Sequence, residues 1–531
     1  MGASLRSRVG KGSCAFMHAI RLWVLQFCVV VLAAAGSRAA PGSFFAPVQP
    51  VRPFQFMAHR GESHRAPENG RAALQGCIED VLEWAEVDVR RTRDGRHILS
   101  HADSVVAGSN GVWRIAEHTF EELETVDIGT PFAARFRQER LLSLEEAFSL
   151  AKGRLNLCLD CKAVDPAQLA REILAAGMES QVVVYDNLAG VRAVGAAGQG
   201  RIPLMTKWHA ALGPVEWAVT NGLSAVEIDA LEITPAICAA FHQAGIKVEA
   251  KVLGEWDRAP FWDQAVSGGA DWLQTDLPEE LMAHTLWQRI KTRPVQFSLH
   301  RGANRYTPEN TLPGFDKAIR MGADYIEFDV RTTSDGKLFL LHDGKLDGRT
   351  TGTGQIAEVP SNVVATLSAG EKFSREYTKI PLPTLDEFLG DVAGKVGLYF
   401  DAKAIDPKTL AAALDKSGVL ERTVVYGSPS FLARVKEANP KIKLLPPLYS
   451  PAAIEAMARE LQPYAFDTEW NLLSPELIAK CHGLGIKVFS DALGDHEKIE
   501  EYQKVMDWGI DLIQTDHPLR LFRAIELRQG R

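Results

Sequence analysis

Short apolar runs, each closed by a polar residue, recur along the chain. Val295 to His300 is one such run, and Lys337 to Leu341, followed by His342, is another. Tyr325 to Val330 alternates, with Ile326, Phe328 and Val330 on one face of a predicted strand and Glu327 and Asp329 on the other. Two carboxylates side by side on one strand face repel, and a bound cation or a shared proton relieves them. Leu312, Phe315 and Ile319 have helical spacing, which predicts a helix over Pro308 to Gly322. Pro308-Glu309-Asn310-Thr311 reads as its start, a capping segment rather than a chemical one. Further strands are predicted over Val396 to Ala402, Thr423 to Tyr426, Tyr464 to Asp467, Ile486 to Ser490 and Leu512 to Thr515, with a helix from Pro407. Gly344 to Pro383 is long for a connection between strand and helix, and reads as a lid or wall.

The same pattern occurs earlier at a fixed offset of 241. His59-Arg60-Gly61 matches His300-Arg301-Gly302, Pro67-Glu68-Asn69 matches Pro308-Glu309-Asn310, and Glu86/Asp88 matches Glu327/Asp329. His101 matches His342, and Asp160/Lys162 matches Asp401/Lys403. The offset falls to 240 at Gln274-Thr275-Asp276 and Gln514-Thr515-Asp516. A period this long is a domain, and repeated strand–helix units of this length predict two tandem TIM-like (β/α)8 barrels, class α/β. Residues 50–290 and 295–531 are the expected barrels, with Thr292-Arg293-Pro294 breaking the helix between them. Residues 1–39 read as a cleaved secretory signal: basic at Arg6, Arg8, Lys11 and Arg21, apolar from Leu22 to Ala35, then Ser37-Arg38-Ala39. The apolar run is short for a membrane span, so a secreted or periplasmic chain with no stable span is expected.

Charge and cysteine usage narrow the choice of function. Removing the five cations of residues 1–39 takes the formal charge from −8 to −13. A chain this acidic lacks the basic footprint of a nucleic-acid binder. Five cysteines lie outside the leader, an odd, sparse set that is no disulfide framework. Cys158 and Cys161 fall on one predicted strand and face opposite ways, which disfavours a shared metal or redox loop.

The polar residues that close the strands converge at the mouth of a barrel. In the second copy these are His300, Arg301, Glu327, Asp329, His342, Asp401 and Lys403; in the first, His59, Arg60, Glu86, Asp88, His101, Asp160 and Lys162. Three carboxylates suit a hard cation, Ca²⁺ or Mg²⁺. Two histidines suit proton transfer in both directions near neutral pH, and an arginine with a lysine suits a phosphate. The set points to displacement at a phosphodiester.

HRG, PENT, the ExD strand, T-x-DG, HD and Arg349-Thr350-Thr351-Gly352-Thr353-Gly354 resemble the glycerophosphodiester phosphodiesterase family over both copies. The resemblance implies metal-dependent hydrolysis of glycerophosphodiesters to sn-glycerol 3-phosphate and an alcohol. It makes His300 with His342, and His59 with His101, the catalytic pairs. It makes Glu327, Asp329 and Asp401, and Glu86, Asp88 and Asp160, the metal carboxylates, and Arg301, Lys403, Arg60 and Lys162 the phosphate contacts. The first copy departs from the pattern: Gly70 replaces the Thr of PENT, His101-Ala102-Asp103 replaces HD, and the RTTGTG run is missing. The competing readings are a related barrel lyase that stops at a cyclic phosphate and a non-catalytic surface-binding tandem barrel.

Overall fold

Apart from Met1, the computed structural model describes residues 52–529, so the predicted leader lies outside the described residues. Eight parallel staves close the first barrel: Gln55–Ala58, Trp84–Arg91, Asn156–Ala163, Val182–Tyr185, Leu204–Lys207, Ala225–Asp229, Lys247–Lys251 and Trp272–Thr275. The first stave pairs with both the second and the last. The second barrel repeats the order with Gln296–Leu299, Tyr325–Thr332, Gly397–Ala404, Thr423–Tyr426, Lys443–Leu445, Ala465–Thr468, Lys487–Asp491 and Leu512–Thr515. Its fifth stave is broken at Pro446. Lys443–Leu445 pairs with the fourth stave, and Pro447–Leu448 pairs with the sixth. Proline removes a ladder donor, and the break lets one short segment serve two neighbours. Among the described residues no helix is long and apolar enough to cross a membrane.

The alternation in the second stave sets the layers of the second barrel. Ile326, Phe328 and Val330 face the helices and join the main core. Tyr325 faces inward, where it packs with Tyr399, Val424, Leu445, Ala465, Phe489 and Leu512 as the barrel floor. Glu327 and then Asp329 follow on that inner face, closer to the mouth. Asp329 is in register with Asp401 of the third stave, as Asp88 is with Asp160 in the first barrel. The pairing slips directly after these positions, between Asp329 and Arg331 and between Val89 and Arg90. Such irregularities bend a strand and re-aim its side chains.

Two expectations are corrected. Lys337 to Leu341 is not a stave: Leu338–Leu340 runs antiparallel to the second stave, Val330 opposite Leu340. The link from Thr332 turns at Gly336 (φ 84°), with the Thr333 hydroxyl bound to Asp335 at 2.7 Å. So short a turn makes a hairpin, because a parallel strand needs a crossover. His342, and likewise His101 after His97–Leu99, therefore follow a hairpin arm beside the barrel. The predicted helix Pro308 to Gly322 starts later, at Leu312, and ends at Arg320. Gly344 to Pro383 forms a wall with its own small core of Leu346, Ile356, Val364 and Leu382 against Phe339 and Leu341. In the first barrel a hairpin, Ser104–Val106 with Val112–Arg114, stands in the corresponding stretch. Cys158 and Cys161 lie on the third stave, both buried and free.

The barrels meet across buried charge. Arg523, from the last helix Pro518–Gln529, reaches Glu83 of the first barrel at 2.5 Å, and Arg52 reaches the same carboxylate at 2.6 Å and Glu526 at 2.9 Å. The Arg52, Glu83 and Arg523 side chains have no exposed surface. Removing one partner of such a set leaves uncompensated charge in a dry interior. Glu83→Ala is expected to cost about 3–5 kcal/mol, the range for a broken buried pair. Glu145→Ala, which breaks the exposed 3.4 Å contact with Arg96, should stay within roughly 0.5 kcal/mol. Urea denaturation of both variants checks this; a Glu83→Ala midpoint equal to wild type defeats it.

Candidate active site

The mouth of each barrel begins with an uncommon backbone turn. Arg60 and Arg301 both have φ of 57°, a left-handed conformation that costs energy for a side chain of this size. The turn aims the backbone N–H inward: Arg301 donates to Glu327 Oε2 at 2.8 Å and Arg60 to Glu86 Oε2 at 3.0 Å. Gly302 (φ 79°) follows with its α-carbon against the Gly314 backbone, where a Cβ would lie 3.0 Å from a carbonyl carbon. No larger residue fits there without displacing the helix Leu312–Arg320.

The predicted carboxylates come together in both copies. Glu327, Asp329 and Asp401 each place an oxygen within 4.8 Å of the others, as do Glu86, Asp88 and Asp160. Burial first, then Asp329 and Asp401, raise Glu327 well above the usual carboxylate range; burial, Asp88 and Asp160 do the same for Glu86. Asp401 is raised by burial and Asp329. Among the described residues the buried Asp329 Oδ1 has no hydrogen-bond partner, with Lys403 Nζ 3.6 Å away. A hard cation satisfies that orphaned oxygen and the mutual repulsion together, so the donor set fits Ca²⁺ or Mg²⁺. In the second barrel Asp401, although shorter than glutamate, takes its place among the three.

The cations lie beside these acids. Lys403 Nζ is 2.5 Å from Asp401 and 3.6 Å from Asp329; Lys162 Nζ is 2.6 Å from Asp160 and 3.3 Å from Asp88. Burial opposes the charge of Lys403, but Asp401 and Asp329 outweigh it and raise its amine. Arg301 Nη1 contacts Glu309 at 3.1 Å and Arg60 Nη1 contacts Glu68 at 2.8 Å. Among the described residues the buried Nε of both arginines makes no hydrogen bond, though Arg301 Nε lies 3.6 Å from Asp329 and Arg60 Nε 3.4 Å from Asp88.

The first and last staves are neighbours, and this sets the first histidine of each copy. His300 Nδ1 lies 2.9 Å from Asp516 Oδ1, and His59 Nδ1 lies 2.7 Å from Asp276 Oδ1. His300 and Asn304 hold Asp516 below the usual carboxylate range in spite of its burial, and His59 does so for Asp276. A carboxylate on Nδ1 fixes the ring and leaves Nε2 for proton transfer. The second histidines differ. His342 Nδ1 is 2.8 Å from Asp343 Oδ1. The His101 ring has no hydrogen-bond partner among the described residues. Asp103 instead faces the Ser104 hydroxyl at 3.0 Å and Arg114 at 3.8 Å. Desolvation lowers the His101 imidazole, with Arg60 and Lys162 adding to the fall against the pull of Asp88.

PENT does not cap its helix. No side chain caps Leu312–Arg320, and the Thr311 hydroxyl donates back to the Pro308 carbonyl at 2.6 Å. Asn310 instead clamps Asp329, donating to Oδ2 at 2.9 Å and accepting from its N–H at 3.1 Å. Asn69 clamps Asp88 in the same way at 2.8 and 2.9 Å, so Gly70 leaves this part of the first copy intact. Asn69, Asn310, Asp276 and Asp516 contact the candidate site residues and were not among the positions sequence reasoning assigned to the site. Their signal was present in the repeat, which carries both PEN and QTD.

Two (β/α)8 barrels with paired carboxylate triads and histidines define a tandem phosphodiesterase-like protein. The profile of the Glycerophosphoryl diester phosphodiesterase family matches residues 59–194 and 300–520, and the chain belongs to that family. It is similar to the glycerophosphodiester phosphodiesterase of Caldanaerobacter subterraneus subsp. tengcongensis, 30% identical over 238 residues, which cover 43% of this chain and 96% of the relative. It is also similar to that of Bacillus subtilis, 27% identical over 244 residues, 41% of this chain and 82% of the relative. A crystal structure of glycerophosphodiester phosphodiesterase from Agrobacterium tumefaciens is 28% identical, covers 43% of this chain and 99% of its own, and aligns with a TM-score of 0.41.

Proposed function

We propose that the chain hydrolyses small-molecule glycerophosphodiesters to sn-glycerol 3-phosphate and an alcohol, chiefly in the second barrel. The observation that carries this is the pairing of His300 with Asp516 and His342 with Asp343 beside a buried carboxylate triad. Glu327, Asp329 and Asp401 would hold Ca²⁺ or Mg²⁺, which when bound neutralises charge on the phosphoryl oxygens. Arg301 and Lys403 bind the phosphate, and the buried Nε of Arg301, 3.6 Å from Asp329, makes no hydrogen bond within the described residues. One histidine takes the proton of the attacking hydroxyl as its oxygen bonds to phosphorus. The other gives a proton to the alcohol oxygen as its bond to phosphorus breaks.

A glycerol hydroxyl adjacent to the diester supplies the nucleophile without a second molecule, an advantage of proximity. The cyclic phosphate so formed is opened by water, with the histidines exchanging roles. Incubation with glycerophosphocholine, with products followed by phosphorus NMR, tests the reading. Glycerol 3-phosphate and choline are expected. A cyclic phosphate as sole product makes the protein a lyase, and no turnover leaves a binding protein. An analogue lacking the adjacent hydroxyl is expected to lose at least about 10²-fold in rate, a small part of what intramolecular attack supplies; cleavage at the normal rate makes water the first nucleophile. The leader reading of residues 1–39 directs the chain to a secreted or periplasmic location, and N-terminal sequencing of exported protein starting at Ala40 would support it.

A further inference from the structure

A cavity of about 610 Å³ opens between the two barrels. The first barrel contributes Arg65 and Arg135 to its wall, and the second contributes Arg305, Arg349 and Lys372. The acids in the same wall are Glu79 and Glu309, and both are engaged. Glu309 holds Arg301 at 3.1 Å and lies 3.4 Å from Arg349; Glu79 contacts Arg65 and Arg520. Arg65 is bound by Glu62 at 2.7 Å and Asp80 at 3.2 Å.

Arg135 differs from these. It donates to the Phe373 carbonyl of the second barrel, and its guanidinium lies 4.5 Å from the Phe373 ring centre and 4.8 Å from that of Phe136. Among the described residues no carboxylate pairs with it. Desolvation in the cleft, then the Arg65 and Arg349 guanidiniums, depress it to about 10. Arg305, on the opposite wall, meets His517 through Nη1 at 2.8 Å, and its buried Nε has no acceptor among the described residues. Aromatic packing thus holds, among other cations, a guanidinium whose planar fork suits a carboxylate or phosphate.

The cavity borders the mouth of the second barrel through two shared wall residues. Asn304 and Glu309 line it, and Asn304 also donates to Asp516, the partner of His300. The glycerol end is common to this substrate class, so the alcohol is the part that varies and extends outward. We propose that the inter-barrel cavity receives an anionic alcohol group, such as a phosphorylated polyol, of the diester cleaved in the second barrel, with Arg135 of the first barrel as a specificity residue. This rests on the hydrolytic reading above. The first barrel thereby contributes to the second barrel's selectivity whether or not it turns over substrate itself.

Steady-state kinetics of the full chain on glycerophosphoinositol 4-phosphate and on glycerophosphoinositol separate the proposal from a structural role. Arg135→Gln is expected to raise KM for the phosphorylated substrate about tenfold, the loss of one charge-assisted contact, with kcat unchanged. KM for glycerophosphoinositol should stay within about twofold, since no such contact is lost. Lys372→Gln, from the opposite barrel, should shift the same KM in the same direction. Equal changes for both substrates, or no change in either, overturn the proposal. Calorimetric titration of the His300→Ala chain with glycerophosphoinositol 4-phosphate reads the cavity without turnover. Binding that Arg135→Gln abolishes supports the cavity even if wild type hydrolyses neither compound, an outcome that would sink the hydrolytic reading alone. Inorganic phosphate bound through Arg135 without raising the KM of the phosphorylated substrate would show a free-phosphate site and overturn the substrate assignment.

Discussion

His300→Ala and His342→Ala are each expected to remove most turnover of a simple glycerophosphodiester, while His59→Ala and His101→Ala remove little. Loss of a positioned general acid or base costs about 10²–10⁴-fold, so whatever remains should be the output of the first barrel. The inequality has a local cause. Asp343 follows His342 directly and takes its Nδ1 at 2.8 Å, which fixes the ring. In the first copy Ala102 separates His101 from Asp103, and that carboxylate points to Ser104 and Arg114 instead. The RTTGTG stretch also supplies Arg349, which reaches Glu309 beside Arg301; the first copy has a hairpin in the corresponding stretch. An imidazole with no hydrogen-bond partner spends less time in the productive orientation, and a displacement of about 1 Å can cost ~10²-fold. The four single variants on one substrate panel decide the matter. Equal losses from the two pairs would refute the asymmetry, and a headgroup cleaved only with His59 and His101 intact would assign the first barrel its own substrate.

Chelation is expected to have an effect of similar size. Dialysis against EDTA should abolish turnover, and Ca²⁺ or Mg²⁺ should restore it. Without a cation, Glu327, Asp329 and Asp401 crowd one another, and burial with that crowding raises Glu327 well above the usual carboxylate range. The site without its cation also lacks the charge that would neutralise phosphoryl oxygens, a stabilisation worth several kcal/mol. Asp329→Asn should mimic this loss, because Asp329 sits between Lys403, Arg301 and Asn310 and has an oxygen with no other partner. A thermal melt gives an independent reading: added cation should raise the wild-type midpoint, and should raise that of Asp329→Asn less, because the variant keeps only the first-barrel triad. Full activity in chelator would remove the metal from the mechanism.

The second-stave alternation and the long repeat carried most of the architecture. Period two alone places Glu327 and Asp329 on the inner face, and the repeat shows that the arrangement occurs twice. The sequence misled where local signals are degenerate. Lys337 to Leu341 has the composition of a stave, and only the short turn before it marks it as a hairpin arm. Asn310 looked like a cap because Asn favours helix starts, yet its amide is spent on Asp329. The fifth stave escaped notice because Pro446 and Pro447 interrupt it. Asp516 and Glu83 could not be placed from local pattern at all. One meets His300 across barrel closure, and the other meets Arg523 across the domain junction, with hundreds of residues between partners.

The helix Pro518–Gln529 belongs by sequence to the second barrel, yet its Arg523 is neutralised by Glu83 of the first. Dissecting the protein at the junction near Thr292 would therefore not release two self-sufficient halves. The first half would expose Glu83 and leave Arg52 without Glu526; the second would leave Arg523 with Glu526 as its one carboxylate partner. Separately expressed halves should recombine rather than persist alone, since each carries the counter-charges that the other requires. A doubled chain whose halves share their electrostatic balance in this way is not free to lose either half, even if one active site were to lose its turnover.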